Sequence, residues 1–238
     1  MFGKRFDIFP FRQLLGTMKA ILCTVFLFAL ANAQQTGVST RVWDCCKPSC
    51  SWNDKADVTR PVASCSADGY FVLPDHVTSG CDANGTAYIC NNNQPWAINN
   101  HLSYGFAAAY IEGQDEPDWC CGCYELSFTS GPVVGKRMIV QVTNTGALGP
   151  NHFDIQMPGG GVGDVNGCAP QWNAPYDGWG ERFGGVGNIT ECDQLPEELQ
   201  PGCRWRFQWF EDADNPDFTF IPVECPIEIT LRSGCSRV

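Results

Sequence analysis

Two aspartates lie in segments whose residue types suit acid–base chemistry, and the first is Asp44. It directly precedes the adjacent pair Cys45-Cys46. Neighbouring cysteines bond to each other only with severe strain, so each is expected to reach a different, distant part of the chain. If residues 40–45 run extended, Thr40 and Asp44 share one face, where the Thr40 hydroxyl would orient the carboxylate. The sequence therefore predicts a firmly anchored carboxylate at position 44.

The second aspartate, Asp154, lies in the alternating segment 151–157. As a strand, this segment places His152 and Asp154 on one face, while Phe153 and Ile155 face the core. Partial desolvation beside apolar neighbours favours the protonated form of a carboxyl group. A protonated carboxyl group is what a general acid requires.

Together, the two carboxyl groups match the chemistry of glycoside hydrolysis. That reaction needs one carboxyl group to protonate the leaving oxygen and another to activate water or attack the sugar. The alternative is that Asp44 and Asp154 each cap a turn or pair with a surface cation, as most aspartates do. The sequence contains no Gly-x-Ser-x-Gly nucleophile motif, phosphate loop or dinucleotide fingerprint.

The N-terminal residues 1–33 resemble a secretory signal. Met18-Lys19 precedes an apolar run over 20–30, and Ala31-Asn32-Ala33 provides a small-residue cleavage site. Because the basic residue normally lies just before the apolar run, Met18 is an alternative start, with residues 1–17 as an upstream extension. The run is shorter than the roughly 20 residues of a membrane anchor. We therefore expect a secreted, extracellular protein whose residues 34–238 form a single catalytic domain.

The charge balance narrows the possible partners. The net charge is −11, and it becomes −14 without residues 1–33, which carry four basic side chains and one acidic side chain. Such a surface repels nucleic acid and anionic membranes, so neither is an expected partner. It suits a neutral or cationic partner, and a neutral polysaccharide is the obvious one for a secreted protein. We expect a monomer.

Cysteine usage predicts a disulfide framework. Of the 15 cysteines, Cys23 belongs to the signal segment, and the remaining even number predicts seven disulfides in an oxidising compartment. Zinc binding at Cys120-Cys121-Gly122-Cys123 is the alternative, but the chain has only three histidines. We therefore predict no metal and no cofactor.

The remaining segments predict short elements joined by long loops. Ala97–Ile111 is the best helix candidate, although Gly105 weakens it. Residues 51–96 are expected to be loop held by disulfides, and Pro196–Leu199 a single helical turn. Asn84 and Asn188 begin glycosylation sequons, which favour the surface. Several short strands in a disulfide-rich chain predict a small closed barrel. The β-rich runs are 124–128, 137–142, 204–210, 218–221 and 227–231.

Several motifs resemble those of the glycoside hydrolase family 45 endoglucanases. The principal ones are Ser39-Thr40-Arg41-Val42-Trp43-Asp44 followed by Cys45-Cys46-Lys47-Pro48-Ser49-Cys50, then Cys120-Cys121-Gly122-Cys123-Tyr124-Glu125-Leu126, Asn151-His152-Phe153-Asp154 and Cys203-Arg204-Trp205-Arg206-Phe207. The resemblance covers about residues 39–236.

This resemblance implies an all-β fold, a six-stranded double-psi β-barrel with long disulfide-stapled loops and a few short helices. It also implies an open groove for a β-1,4-glucan chain, and hydrolysis with inversion in which Asp44 is the general base and Asp154 the general acid. The implied disulfides are Cys45–Cys168, Cys46–Cys81, Cys50–Cys120, Cys65–Cys90, Cys121–Cys235, Cys123–Cys225 and Cys192–Cys203.

Further residues are candidates for substrate contact. Trp43 and Trp52 are candidate stacking platforms for sugar rings, with core packing as the alternative use of an indole. Thr40 and His152 are expected to contact the substrate near the acid, and a structural role for His152 stays open. Lys47 is expected to be a surface charge, with contact to the sugar as the alternative.

Two positions depart from the family pattern. Val42 replaces the aromatic residue that usually precedes Trp-Asp, and Ala147 aligns where members commonly carry an aspartate. Without that anion, the pKa of Asp154 should be lower, because like-charge repulsion is lost. These losses leave two interpretations, a cellulase of reduced efficiency or an enzyme for xyloglucan and other branched β-glucans. A non-hydrolytic, expansin-like protein is a third, although Asp44 in its full motif argues against it.

Overall fold

A computed structural model describes Gly3 and residues 34–238 of the protein. The predicted signal segment, Gly3 apart, lies outside the described residues. No helix among the described residues is long and apolar enough to cross a membrane. The strands are β1 Gln35–Val42, β2 Ser64–Cys65, β3 Val72–Leu73, β4 Tyr88–Ile89, β5 Trp96–Ala97, β6 Leu102–Tyr110, β7 Cys123–Phe128, β8 Arg137–Asn144, β9 His152–Gln156 and β10 Asp217–Val223. The helices are α1 Glu116–Trp119, α2 Cys168–Trp172, α3 Gln200–Gln208 and α4 Ile227–Ser233.

Six strands close into a barrel in the order β6, β8, β7, β10, β1 and β9, and β9 returns to pair with β6. The β1–β9 and β6–β8 pairs are parallel, and the other four pairs of the barrel are antiparallel. Strand β5 extends the edge beside β6. Closure removes free strand edges, which an open sheet would expose to unwanted pairing. This confirms the predicted six-stranded double-psi β-barrel.

Aromatic side chains fill the barrel interior. Phe153, Phe218, Phe220 and Tyr124 are at most 5% exposed, and their rings meet edge to face at centroid distances of 5.2–6.0 Å. Edge-to-face contact is the preferred geometry of such pairs. Because Phe153 fills this core, the opposite face of β9 points outward with His152 and Asp154, as the alternation predicts.

The loops are held by covalent bridges and a small second sheet. Strands β3, β2 and β4 form this three-stranded sheet within the predicted loop region 51–96. A chain with loops this long gains stability when disulfides restrict the unfolded state. The structure contains the same seven pairs as the resemblance implies, Cys45–Cys168, Cys46–Cys81, Cys50–Cys120, Cys65–Cys90, Cys121–Cys235, Cys123–Cys225 and Cys192–Cys203.

The predicted helix over Ala97–Ile111 is wrong, because the segment contains strand β6 in the middle of the barrel. Phe106, Ala107 and Ala109 are all fully buried. A strand buried on both faces shows no alternation of polar and apolar residues, so its pattern can be taken for a helix. Gly105 lies against the end of the Met138 side chain, and a Cβ there would come within 2.5 Å of its terminal methyl group, so Met138 would have to shift.

Two predicted strands are also wrong, because 204–210 and 227–231 lie largely in α3 and α4. Trp205 and Trp209 are four residues apart and stack with ring centroids 5.4 Å apart, which is the neighbour spacing of a helix face. Helix α4 follows Pro226 and ends at Gly234, whose φ of 73° is the left-handed cap that glycine favours. The predicted strands over 124–128, 137–142 and 218–221 are confirmed, and so is the turn of helix near 197–199.

Candidate active site

The acid candidate, Asp154, is held in the middle of β9 by strands on both sides. The parallel register aligns it with Thr40 of β1, and the antiparallel register aligns it with Ala108 of β6. A central strand leaves a side chain little freedom of direction, because the backbone hydrogen bonds on both sides fix the pleat. Asp154 and His152 therefore project together from the barrel surface beside the end of β1.

A hydrogen-bonded chain links three side chains at this point. The Thr40 hydroxyl donates to Asp154 Oδ1 at 2.8 Å and lies 2.8 Å from His152 Nε2. A hydroxyl has one proton to give, so Thr40 accepts its second bond from the Nε2–H of His152. The expectation that Thr40 orients Asp44 is wrong. Its hydroxyl orients the other carboxyl group, because its register partner is Asp154.

The base candidate, Asp44, lies two residues beyond the end of β1 and is held by a different set of contacts. The Cys46 backbone N–H donates to Asp44 Oδ1 at 2.9 Å, and the Gly167 N–H donates to the Asp44 carbonyl at 2.8 Å. The predicted extended run over 40–45 stops short, because Cys45 adopts a left-handed φ of 64°. This bend turns the chain out of the sheet, and the carboxylate leaves the strand alternation with it.

Two disulfides fasten the chain immediately after Asp44. Cys45 is bonded to Cys168 at the start of α2, and Cys46 is bonded to Cys81 in the loop region. The two adjacent cysteines therefore bond to different, distant parts of the chain, as expected. The irregular backbone around Asp44 is fixed by covalent bonds in two directions, where Asp154 is fixed by a sheet.

The local environment raises the pKa of both carboxyl groups. The pKa of Asp154 is raised to about 6, mainly by burial and to a smaller extent by the Asp44 charge, while the Thr40 hydrogen bond and the Arg41 charge oppose the rise. Burial also raises the pKa of Asp44 to about 6, against the stabilising hydrogen bond from the Cys46 N–H. Asp44 lies two residues beyond β1, and Asp154 pairs with Thr40 of the same strand, so both carboxyl groups belong to the same end of β1. Ala147 is exposed in the preceding loop, so the raised pKa of Asp154 depends on burial and on Asp44.

The predicted stacking role of Trp43 is wrong. Its indole is 2% exposed and packs in a cluster with Val162, Trp179 and Val186. A ring with so little accessible surface offers no face to a sugar. Trp43 lies directly after the end of β1, and its backbone N–H donates to the Gly161 carbonyl at 2.7 Å. Trp43 therefore anchors the segment that carries Asp44.

The neighbouring indole, Trp52, is half-buried and lies under a cation. Lys47 Nζ is 3.3 Å from the Trp52 ring centroid and donates to the carbonyls of Asp75 and Val77. Lys47 is 5% exposed, so its prediction as a surface charge is wrong. Burial lowers the Lys47 pKa, against the Asp75 charge. The lysine ties the 74–79 loop to the base segment and fixes one face of Trp52.

An exposed aromatic loop near the site was not found from the sequence. Phe183 and Tyr176 are 72% and 83% exposed. Their loop is tied down at Gly184, whose carbonyl accepts a hydrogen bond from Arg41 Nε at 3.0 Å and one from Arg206 Nη1 at 3.0 Å. Because Arg41 belongs to β1, this loop is connected to the strand that also carries Thr40. A signal was present in the sequence, since an aromatic residue directly before Gly-Gly in a polar segment often marks an exposed loop tip.

The cysteine cluster considered for zinc provides no thiolate. Cys120, Cys121 and Cys123 are all in disulfides. Cys50, Glu116 and Cys120 bring ligand-type atoms within 4.8 Å of one another, but the two sulfurs are bonded to each other. Disulfide sulfur lacks the negative charge that makes cysteine a metal ligand.

Comparison with known proteins shows close relatives over nearly the whole chain. Residues 36–236 match the sequence model of glycosyl hydrolase family 45. The endoglucanase of Cryptopygus antarcticus is 51% identical over 223 residues, which cover 92% of this chain and 98% of that protein. The endoglucanase of Phaedon cochleariae is 43% identical over 204 residues, 84% of each chain. A putative endoglucanase type K of Fusarium oxysporum is 52% identical over 210 residues, but this chain spans only 55% of its length.

The fold agrees with a solved relative. The crystal structure of the cellulase from the Antarctic springtail Cryptopygus antarcticus superposes with a TM-score of 0.84 and 53% sequence identity, covering 86% of this chain and 98% of that one. The family match, the identity over full-length relatives and the shared barrel agree with one another. The chain belongs to glycosyl hydrolase family 45.

Proposed function

We propose that the chain is a secreted endo-β-1,4-glucanase that cleaves cellulose-type chains by single displacement with inversion. The observation that carries this proposal is the placement of Asp44 and Asp154 at the same end of β1, with Asp44 two residues past the strand and Asp154 paired with Thr40 within it. Inverting glycosidases need one ionised and one protonated carboxyl group with space for a water molecule, at a separation of roughly 6.5–9.5 Å. The family membership and the endoglucanase relatives support the same activity.

Asp44 is the general base and Asp154 the general acid. Asp44 removes a proton from a water molecule as the water oxygen bonds to the anomeric carbon. Asp154 gives its proton to the glycosidic oxygen as the bond to that carbon breaks. Attack from the side opposite the leaving group inverts the β-linkage, so the new reducing end is the α-anomer. Asp44 ends protonated and Asp154 ionised, and exchange with solvent restores both.

The assignment of the two roles follows from their surroundings. Asp44 Oδ1 accepts a backbone N–H, which stabilises its ionised form. Asp154 feels the negative charge of Asp44, which favours its protonated form. We assign the single proton of the pair to Asp154, as the family resemblance implies; the Thr40 hydrogen bond and the Arg41 charge act against this protonation, and burial and the Asp44 charge favour it. Thr40 and His152 act on the substrate through Asp154, since both belong to its hydrogen-bonded chain.

Substrate binding is assigned to exposed rings beside the site. Trp52 is half-buried, and Phe183 and Tyr176 present most of their surface to solvent. An aromatic face holds a pyranose without any charge, which suits a neutral polymer and an acidic protein. Val42 is half-buried on the Thr40 side of β1 and adds no ring there, so the site is more open at this point.

The open position at Val42 is the observation that favours branched glucans such as xyloglucan as an alternative substrate. The similarity to the cellulase of Cryptopygus antarcticus favours the linear substrate. A wall-loosening, expansin-like function is disfavoured, because Asp44 is present and held by its own backbone contacts.

Secretion and modification are part of the same proposal. The signal-like residues 1–33 and the seven disulfides suit an oxidising extracellular compartment. Both sequon asparagines, Asn84 and Asn188, are exposed and are proposed glycosylation sites. We expect the enzyme to act as a monomer.

The test is a substrate panel with product stereochemistry. Reducing ends are measured on carboxymethylcellulose and on xyloglucan, and proton NMR identifies the first anomer formed from a cello-oligosaccharide. We expect release from carboxymethylcellulose, with the α-anomer appearing first. An Asp44→Asn/Asp154→Asn double variant serves as the inactive control. Release of β-anomer would disprove inversion, and no release from either polymer would disprove hydrolysis.

A further inference from the structure

The turn between β2 and β3 presents three consecutive apolar side chains to solvent. Tyr70, Phe71 and Val72 are 60%, 66% and 57% exposed, and we refer to them as the aromatic tip. Scattered exposed apolar residues are normal on a protein surface, but contiguous ones mark an interaction surface. The aromatic tip belongs to the small three-stranded sheet and lies outside the barrel.

The aromatic tip is held rigidly although its side chains are exposed. Asp68 Oδ1 accepts hydrogen bonds from the backbone N–H groups of Tyr70 and Phe71 at 2.9 and 3.0 Å, and from Ser66 Oγ at 2.7 Å. Asn91 Nδ2 donates to the Asp68 carbonyl at 3.1 Å. A fixed turn presents its rings without an ordering cost on binding, because the backbone is already in place.

The turn is also connected to the base side of the active site. Gln171 Nε2 donates to the Ala67 carbonyl at 3.4 Å, and the Gly167 N–H donates to the Asp44 carbonyl at 2.8 Å. Residues 167 and 171 are separated by about 6 Å along the helix axis. The turn that carries the aromatic tip is therefore connected through α2 to the backbone of Asp44, and it is fixed relative to that residue.

We propose that the aromatic tip is an auxiliary binding surface for the sugar faces of insoluble β-glucan, outside the cleavage site. The choice of glucan as the occupant rests on the proposed function. Two rings bury about 150–250 Å² each at most, which is far below the roughly 800 Å² per partner of a stable protein interface. Such a patch matches flat pyranose rings, which present C–H groups to aromatic faces and need no countercharge.

The experiment measures retention on microcrystalline cellulose. A Tyr70→Ser/Phe71→Ser variant is made in the Asp154→Asn background so that the support is not degraded, and bound protein is determined by depletion. The matched control, Val134→Ser, removes an apolar side chain that is 59% exposed. Val134 lies in the turn before β8. The other end of β8 is Asn144, which accepts a hydrogen bond from the Ser49 N–H near the base segment. The length of the strand separates Val134 from that end by about 25 Å.

We expect the association constant for cellulose to fall about three- to ten-fold in the double variant, the loss due to two partly covered apolar side chains. Val134→Ser should bind as the Asp154→Asn parent does. Tyr70→Trp keeps a flat ring and should retain parental binding, which separates lost stacking from a disturbed turn. Thermal unfolding verifies that each variant is folded.

Unchanged retention in the double variant would overturn the proposal. If retention were unchanged and self-association in sedimentation were lost, the aromatic tip would instead be assigned to contact with another copy of the chain. Binding is measured without turnover, so failure of the hydrolytic proposal would leave this comparison intact.

Discussion

The two carboxyl groups of the site are held by different means. Asp154 lies in the middle of β9, where β1 and β6 fix its direction and the Thr40 hydroxyl binds its carboxyl group. Asp44 lies past the end of β1, in an irregular segment that bends at Cys45 and is held by backbone contacts and two disulfides. The acid is thus positioned by regular structure, and the base is positioned by covalent tethers.

This difference has a functional meaning. A proton donor must lie at a fixed distance from the glycosidic oxygen, whereas a base must leave room for a water molecule between itself and the sugar. A strand holds a proton donor at a fixed position, because its backbone hydrogen bonds already fix the direction of the side chain. A loop that leaves the sheet provides room for the water molecule, but it holds its geometry only if disulfides or backbone contacts fix it.

The largest expected effect comes from removing each carboxyl group and changing the leaving group. Asp154→Asn should reduce kcat on glucan by about 10²–10⁴-fold, and most of the loss should be recovered on an aryl cello-oligosaccharide whose leaving group needs no proton. Asp44→Asn should lose a similar factor on both substrates, because water still needs a base. Steady-state kcat/KM on both substrates makes the comparison.

Asp164→Asn is the control for this pair, since Asp164 is exposed and follows the glycine turn near the acid. Its activity should equal that of the parent on both substrates. Equal recovery of Asp44→Asn and Asp154→Asn on the aryl substrate would mean that the two roles are not divided as proposed.

Loss of a tether should affect the base region more than an equivalent loss elsewhere. Cys45→Ala/Cys168→Ala and the control Cys123→Ala/Cys225→Ala, whose bridge spans a similar sequence separation (123 and 102), should each cost roughly 2–5 kcal/mol of unfolding free energy. Only the first should also lower kcat, by about ten-fold or more, because a displacement of about 1 Å in a reacting group is enough for that. Denaturant unfolding and kcat are measured in parallel. If both variants lost the same fraction of kcat, the tether at Cys45 would have no special role.

The raised pKa values predict a stability cost that depends on pH. Both carboxyl groups move from 3.8 to about 6 on folding. Between pH 4 and 6 the folded protein keeps protons that the unfolded chain has lost, so stability falls as pH rises through this window. Asp44→Asn and Asp154→Asn should each be more stable than the parent at pH 7 by about 2 kcal/mol, or about 4–8 °C in Tm.

The control for this prediction is the same comparison of unfolding free energies at pH 4. At pH 4 the carboxyl groups are protonated in the folded parent, so the advantage of either variant should nearly vanish. Because the two charges interact, the double variant should gain less than the two single gains together. A parent that is more stable than both variants at pH 7 would show that the carboxylates are not strained by burial.

The sequence predicted the acid region better than the base region, for a physical reason. Alternation along 151–157 is a local property, and it placed His152, Asp154 and the buried Phe153 correctly. The conformation after Asp44 depends on Cys168 and Cys81, which are distant in the chain. A local pattern contains no information on such contacts, so the roles given to Thr40 and Trp43 were wrong. The disulfide pairs came from family resemblance, and spacing did not determine them.

Errors in secondary structure have the same origin. Strand β6 is buried on both faces, and its small residues were taken for a helix. In α3, β-favouring aromatic residues form a helix because Trp205 and Trp209 pack together on one face, and the Trp205 Nε1–H bonds the Ser103 hydroxyl at 2.9 Å. In both elements, tertiary packing overrides local propensity.

The smallest expected effect concerns Thr40, which touches the acid and leaves the base unchanged. Its hydrogen bond lowers the pKa of Asp154, so Thr40→Val should raise that pKa by about half a unit to one unit, the worth of one such bond. The alkaline limb of the kcat/KM profile, where the acid loses its proton, should move to higher pH. The acidic limb should move less, because it follows protonation of Asp44. The pKa of Asp44 changes only through its electrostatic interaction with Asp154.

Thr143→Val is the matched control, because the Thr143 hydroxyl donates to Gln156 at 3.2 Å within the barrel and does not contact Asp154. It should leave both limbs in place even if it destabilises the fold, so a purely structural effect is recognised by its unchanged profile. A shift of the alkaline limb to lower pH in Thr40→Val would mean that the hydroxyl stabilises the protonated acid. In that case the strand would tune Asp154 for proton donation as well as aim it, and the two regions would differ in electrostatics as much as in anchoring.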